Sequence, residues 1–207
     1  MNENDEEQFK WVQKGDIIFK PGENPAEYAY FGWQTSLGEM YFGYIIGYKN
    51  SADTLIDYSL SMLGQGRIDI GDTYVFPICF MYRQLMELSL KVLYILFSAD
   101  DDSTKEKTIR KSSHNLIKMW TFVKPIIEMY SLEQEKNDIE IVEAYINEMH
   151  SYQETSFEFR YPTHKDGSSI HNDWEYLDLV NLKDKMERFY NYIMAVWQCL
   201  AERINKS

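Results

Sequence analysis

FPICFMYRQLMELSLKVLYILFS, residues 76–98, is apolar almost all the way round when it is wound into a helix. Its only charges are Arg83, Glu87 and Lys91. They recur every four residues, so a helix sets them along one face. A helix this apolar on its other faces is enclosed by protein rather than laid on a surface. The charged stripe therefore faces a groove, a partner or an interior polar network. The competing reading is a pair of ordinary surface ion pairs, each contributing about 0.3–0.5 kcal/mol. The same three charges make a bilayer-spanning role costly.

Working outward, helical stripes recur on both sides of this stretch. Asn24 and Pro25 resemble a helix start, and apolar residues follow at Tyr30, Trp33, Leu37, Tyr41, Tyr44, Ile45 and Tyr48. Ser51–Met62 continues the pattern up to Gly64-Gln65-Gly66, and Asp69–Thr73 reads as a connection. Ser112 and Ser113 are placed to cap a helix opening near His114, with Pro125 as a kink. Further stripes cover Asp138–Tyr152 and Leu179–Ile204, and Gln153–Trp174 reads as one long irregular loop. The expected fold is all-α, a bundle of five to six helices. Its expected divisions are an extended segment over 1–24, a helical extension over 25–75 and the bundle over 76–207.

The 207 residues are 44% hydrophobic and 15% aromatic, enough apolar material for a core. The formal net charge of −12 disfavours non-specific attachment to nucleic acid, yet leaves room for a small basic site. An acidic start, Asn2-Glu3-Asn4-Asp5-Glu6-Glu7, is the opposite of a secretory signal, so the cytoplasm is the expected location, without membrane attachment. Cys79 and Cys199 each lie in an apolar run and are expected to be buried thiols.

Candidate chemistry centres on few residues. His114, at an expected helix start, is held neutral and able to act as a base; the plainer reading is an ordinary cap residue. Phe157-Glu158-Phe159-Arg160-Tyr161-Pro162 alternates aromatics around Arg160, which either ties a loop down or grips an anion bidentately, with Tyr161 beside it. Asp100-Asp101-Asp102 lacks the alternating ligands and glycine of a calcium loop. No phosphate loop, dinucleotide fingerprint or zinc motif is present, so neither metal nor cofactor is expected. In a simple antiparallel hairpin His114 falls nearer Lys91 and Tyr94 than Arg83. Closing the cluster then calls for a second subunit or the Arg160 loop.

Glu87-Leu88-Ser89-Leu90-Lys91-Val92-Leu93, followed by His114-Asn115-Leu116-Ile117-Lys118-Met119-Trp120, resembles the Glu-x-x-Leu-Lys-x-Leu and His-Asp-Leu-x-x-Leu helices of the HEPN superfamily. The resemblance covers roughly residues 76–204 and is clearest over 76–125. It implies a bundle that often forms homodimers. It also implies a metal-independent ribonuclease of a bacterial or mobile-element stress or defence system, or a non-catalytic partner of a nucleotidyltransferase or other effector. The catalytic assignment is then His114, Arg83 and Glu87, with Lys91, Arg160 and Tyr161 binding substrate or partner. Catalytic relatives place four to six residues between Arg and His. Arg110 and His114 are separated by three here, and no His follows Arg188 on the last helix.

Overall fold

In a computed structural model of the chain, residues 10–27, 29–129, 136–152, 159–163, 166–169 and 176–204 are described. Helix accounts for 71% of them, and among the described residues there is no strand. Six helices follow in order: α1 (Leu37–Leu63), α2 (Ile68–Phe97), α3 (Asp102–Ser112), α4 (Leu116–Glu128), α5 (Lys136–Tyr152) and α6 (Leu179–Ile204). Two compact units divide the chain at 34/35, so α1 belongs to the same unit as the other helices.

α2 is the axis of that unit: α1, α3, α4 and α6 all pack on it. It buries Ile78, Tyr82, Leu85, Met86, Leu90, Val92 and Leu93 completely. Each such side chain contributes about 1.5–3 kcal/mol by leaving water. α1 buries Ile45, Lys49, Ala52, Ile56 and Ser59, a run of alternating four- and three-residue steps that keeps one stripe on α2. α5 presents Ile139, Val142 and Ile146, and α6 presents Met186, Phe189, Ile193 and Leu200.

Three boundaries differ from the sequence reading. No helix starts at Pro25. The Asn24 side chain accepts from the Ala26 amide at 3.1 Å, and the Glu27 amide donates to the Asn24 carbonyl at 2.9 Å. A closed turn results. The helix starts at Leu37, where Ser36 and Glu39 form a reciprocal capping box. It then runs unbroken through both expected segments. α2 begins at Ile68, absorbing the expected connection and placing Pro77 inside the helix. Gly71 lets Leu63 lie against the backbone there; a Cβ would stand 3.0 Å from its Cδ2. The third difference is α3, a helix in a stretch that carries no helical stripe. Asp101 caps it, accepting from the Thr104 amide at 3.0 Å.

Cys79 is buried as expected, and burial pushes its thiol up to about 12. Cys199 is exposed instead, because it lies on the outer side of α6, away from the Ile193–Leu200 stripe. Of the long loop over 153–174, residues 159–163 and 166–169 are described; there Thr163 and Ser169 form an antiparallel bridge. The rest of that loop, including Phe157 and Glu158, lies outside the described residues. Among the described residues, no helix is long and apolar enough to cross a membrane.

Candidate functional site

Arg83, Glu87, Lys91 and His114 converge. The Glu87 carboxylate, 4% exposed, sits at the centre. Its Oε1 accepts from Lys91 Nζ at 2.6 Å and lies 3.0 Å from His114 Nδ1. Its Oε2 lies 3.2 Å from the same Nδ1 and 3.5 Å from Arg83 Nη1. Two cations thus face one carboxylate, a local positive excess within an acidic chain.

α3 explains why His114 reaches this point. Glu87 lies ten residues before the end of α2, roughly 15 Å back along its axis. α3 carries the chain back by eleven residues, roughly 16 Å. The turn that follows therefore meets Glu87 rather than the far end of α2. A direct hairpin, lacking α3, would have left His114 near Tyr94. His114 does not open α4: Asn115 is its N-cap, accepting from the Lys118 amide at 2.7 Å.

Several contacts lock that turn. Arg83 Nη2 donates to the His114 carbonyl. The Ser113 amide donates to Ile109 and the Asn115 amide to Ser112. Lys118 Nζ donates to the Lys111 carbonyl at 2.7 Å, capping the end of α3. Ser113 itself holds φ +49°, a region unfavourable for a residue with a Cβ. Such strain, of order 1–3 kcal/mol, persists where surroundings dictate the conformation.

This geometry fixes the imidazole's chemistry. A carboxylate can only accept, so Nδ1 carries the proton shared with Glu87. Nε2 is the ring nitrogen turned away from Glu87, and in a neutral ring it is the one that carries the lone pair. The His114 side chain is 50% exposed, so the ring is open to a ligand. A carboxylate–imidazole pair of this kind can orient the ring for proton transfer through Nε2. Arg83 is 0% exposed and offers no atom to a ligand.

Arg160 is placed by rings. Its guanidinium carbon lies 6.0 Å from the centroid of Phe80 and 5.9 Å from that of Tyr161. Phe80 is one turn before Arg83 on α2. Tyr161 is 49% exposed. Tyr41 of α1 stands within the field of the Glu87 carboxylate. Its phenol is pushed up from the ordinary value, first by burial and then by the Glu87 carboxylate.

A second polar cluster joins α1, α2 and α6. Lys49 Nζ, on an 8% exposed residue, pairs with Asp53 at 2.7 Å and Glu187 at 2.5 Å. Tyr82 donates to Asp53 at 2.5 Å. Burial works to lower the Lys49 ammonium, but its bonds to Asp53 and Glu187 outweigh that and raise it. Among the described residues, no group of three or more His, Cys, Asp or Glu side chains is placed to hold a metal ion. Comparisons with family models, with curated proteins and with solved structures return no match.

Proposed function

We propose that the chain is a HEPN-like ribonuclease that needs no metal, acting in a bacterial or mobile-element stress or defence system. The observation that carries this reading is the Glu87–His114 pair, in which a buried carboxylate holds a half-exposed imidazole by Nδ1. RNA supplies its own nucleophile, so one base suffices for the first step. Nε2 takes the proton of a ribose 2′-hydroxyl. The 2′-oxygen attacks the adjacent phosphorus, the bond to the 5′-oxygen breaks, and that oxygen takes a proton from water. A 2′,3′-cyclic phosphate results. Lys91 and Lys118 stand beside the turn as cations for the phosphorane charge. Arg160 and Tyr161 offer a cation and a ring for a flanking nucleotide.

The test is cleavage of an RNA panel in chelator by wild type, His114→Ala and Glu87→Gln. Wild type leaves cyclic phosphate ends, His114→Ala is inactive and Glu87→Gln is strongly impaired. Equal cleavage by wild type and His114→Ala removes His114 from the mechanism.

A second reading is a non-catalytic module that pairs with a nucleotidyltransferase or another effector. It is favoured by Leu37, Met40 and Tyr44, which share one face of α1 and are 49%, 45% and 63% exposed. Absence of cleavage across the panel, with candidate partners present, selects it. In either reading the chain acts as a homodimer, checked by sedimentation.

A further inference from the structure

We propose that Lys91 is a phosphate-responsive latch: an incoming phosphate group draws its ammonium off Glu87 and so releases that carboxylate to His114. The proposal deepens the proton-transfer reading and rests on its Glu87–His114 pair. Its test uses no RNA, so it stands or falls separately from cleavage.

One oxygen of Glu87 carries the argument. Oε1 accepts from Lys91 Nζ at 2.6 Å and lies 3.0 Å from His114 Nδ1. Two donors share one acceptor, and the lysine holds the shorter bond. Its full charge draws on electron density that would otherwise polarise the Nδ1–H bond. The imidazole accordingly straddles the carboxylate, with Oε2 3.2 Å from the same nitrogen. With Lys91 in place, Glu87 supports the ring weakly. The ammonium, for its part, is neutralised by Glu87 and cannot serve a phosphate until it lets go.

Of the three groups that meet Glu87, Lys91 is the one able to change partner. Arg83 is fully buried and donates to the His114 carbonyl. His114 is fixed by the locked turn that carries it. The Lys91 side chain is 14% exposed, and its ammonium offers three rotatable donors on a flexible stem. Its departure does not orphan the carboxylate. Arg83 Nη1 stays 3.5 Å from Oε2, so the buried charge keeps a cation.

Charge and placement select the ligand. Arg83 and Lys91 against Glu87 leave one uncompensated positive charge, in a chain of net charge −12. Lys91 and His114 both meet Oε1, so they lie side by side, and the half-exposed ring opens that side to solvent. An anion arriving there meets an ammonium and an imidazole together. A phosphate has oxygens enough to accept from both at once, which a chloride has not.

The experiment is nuclear magnetic resonance on the full chain, isotopically labelled at histidine and titrated with inorganic phosphate at constant pH and ionic strength. The readout is the ring Nδ1–H signal that His114→Ala lacks. In the wild type, phosphate is expected to move this signal downfield as the bond to Glu87 tightens. Lys91→Met is expected to show the downfield signal without phosphate, and no further movement when it is added. By calorimetry the same variant is expected to bind phosphate about tenfold more weakly, the loss of one bond to a charged group. A wild-type signal that phosphate leaves in place overturns the proposal, as does a Lys91→Met signal that responds like wild type. An equal response to chloride reduces the effect to screening and overturns it too. Weakened phosphate binding in Lys91→Met with the signal at its wild-type position shows that Lys91 binds anions without restraining the ring, which also overturns the latch. Should Lys91→Met lose helix by circular dichroism, Lys91→Gln takes its place with the same expected outcome.

Discussion

Two polar clusters are built into the bundle, and both contain a carboxylate beside a lysine. Around Asp53 every partner is satisfied by another: Tyr82 donates to it, Lys49 bridges it to Glu187, and the Lys49 ammonium lies 5.1 Å from the Tyr190 ring centroid. Around Glu87 the inventory is similar, but one member stands half in solvent with a ring nitrogen directed away from the carboxylate. Burial alone does not distinguish a brace from a site. What distinguishes them is whether the network ends on an atom that a ligand can reach.

The strongest way to break this contrast is Arg83→Met. The variant keeps apolar volume but removes a fully buried cation from Glu87 and releases the His114 carbonyl. A loss of about 3–5 kcal/mol is expected by denaturant titration, the cost of breaking a buried pair. A loss under 1 kcal/mol would mean that the Glu87 cluster does not hold the turn.

Leu90→Ala and Leu93→Ala set the scale against which polar effects are judged. Both side chains are fully buried on α2. Each truncation should cost about 2–5 kcal/mol, again by denaturant titration. Near-neutral values for both would remove α2 from the centre of the core.

Tyr82→Phe probes the closed cluster. It removes a hydroxyl bonded to a carboxylate and should cost about 1–3 kcal/mol. It also carries a pH signature. Burial first, and the Asp53 bond second, raise the Tyr82 phenol above its ordinary value of 10.0. The folded state keeps that proton after the unfolded chain has released it. Its stabilisation is therefore complete below pH 10 and fades as pH rises toward the folded value. Wild-type stability should fall above pH 10, and Tyr82→Phe should flatten that fall. An unchanged slope would show that Tyr82 does not govern it.

The smallest structural effect is expected at the open end of the Glu87 cluster. His114→Ala removes a half-exposed ring and leaves Lys91 and Arg83 on Glu87. Its stability cost should stay below about 1 kcal/mol, within the range of surface substitutions and single hydrogen bonds. RNA cleavage should disappear. A large loss of stability with cleavage retained would invert the roles of the two clusters.

These results bear on what the sequence makes legible. α6 was readable to its end residues because its apolar stripe is unbroken. The true start of α1 was obscured, since Asn24-Pro25 imitates a helix start and the working cap, Ser36 with Glu39, lies among glycines. α3 was invisible to periodicity: DSTKEKTIRKS has no apolar stripe, and only Ser112 is buried. Arg83, Glu87 and Lys91 stand out as the only charges in the apolar stretch 76–98. The position of His114 could not be read while α3 was missing, because the path length between the two elements was wrong. The bonds of Lys49 to Glu187 and of Tyr82 to Asp53 join residues far apart in sequence, which spacing cannot show.

α3 adds almost nothing to the core, yet it decides where His114 stands. It works as a spacer whose length matters more than its letters. Substituting its exposed Glu106, Lys107 or Arg110 leaves the span unchanged. Deleting a single residue withdraws the following turn by about 1.5 Å and rotates it by about 100°. That rotation is enough to turn the imidazole off the carboxylate. The constraint on this part of the chain is therefore one of counting, with insertions and deletions far more damaging than replacements.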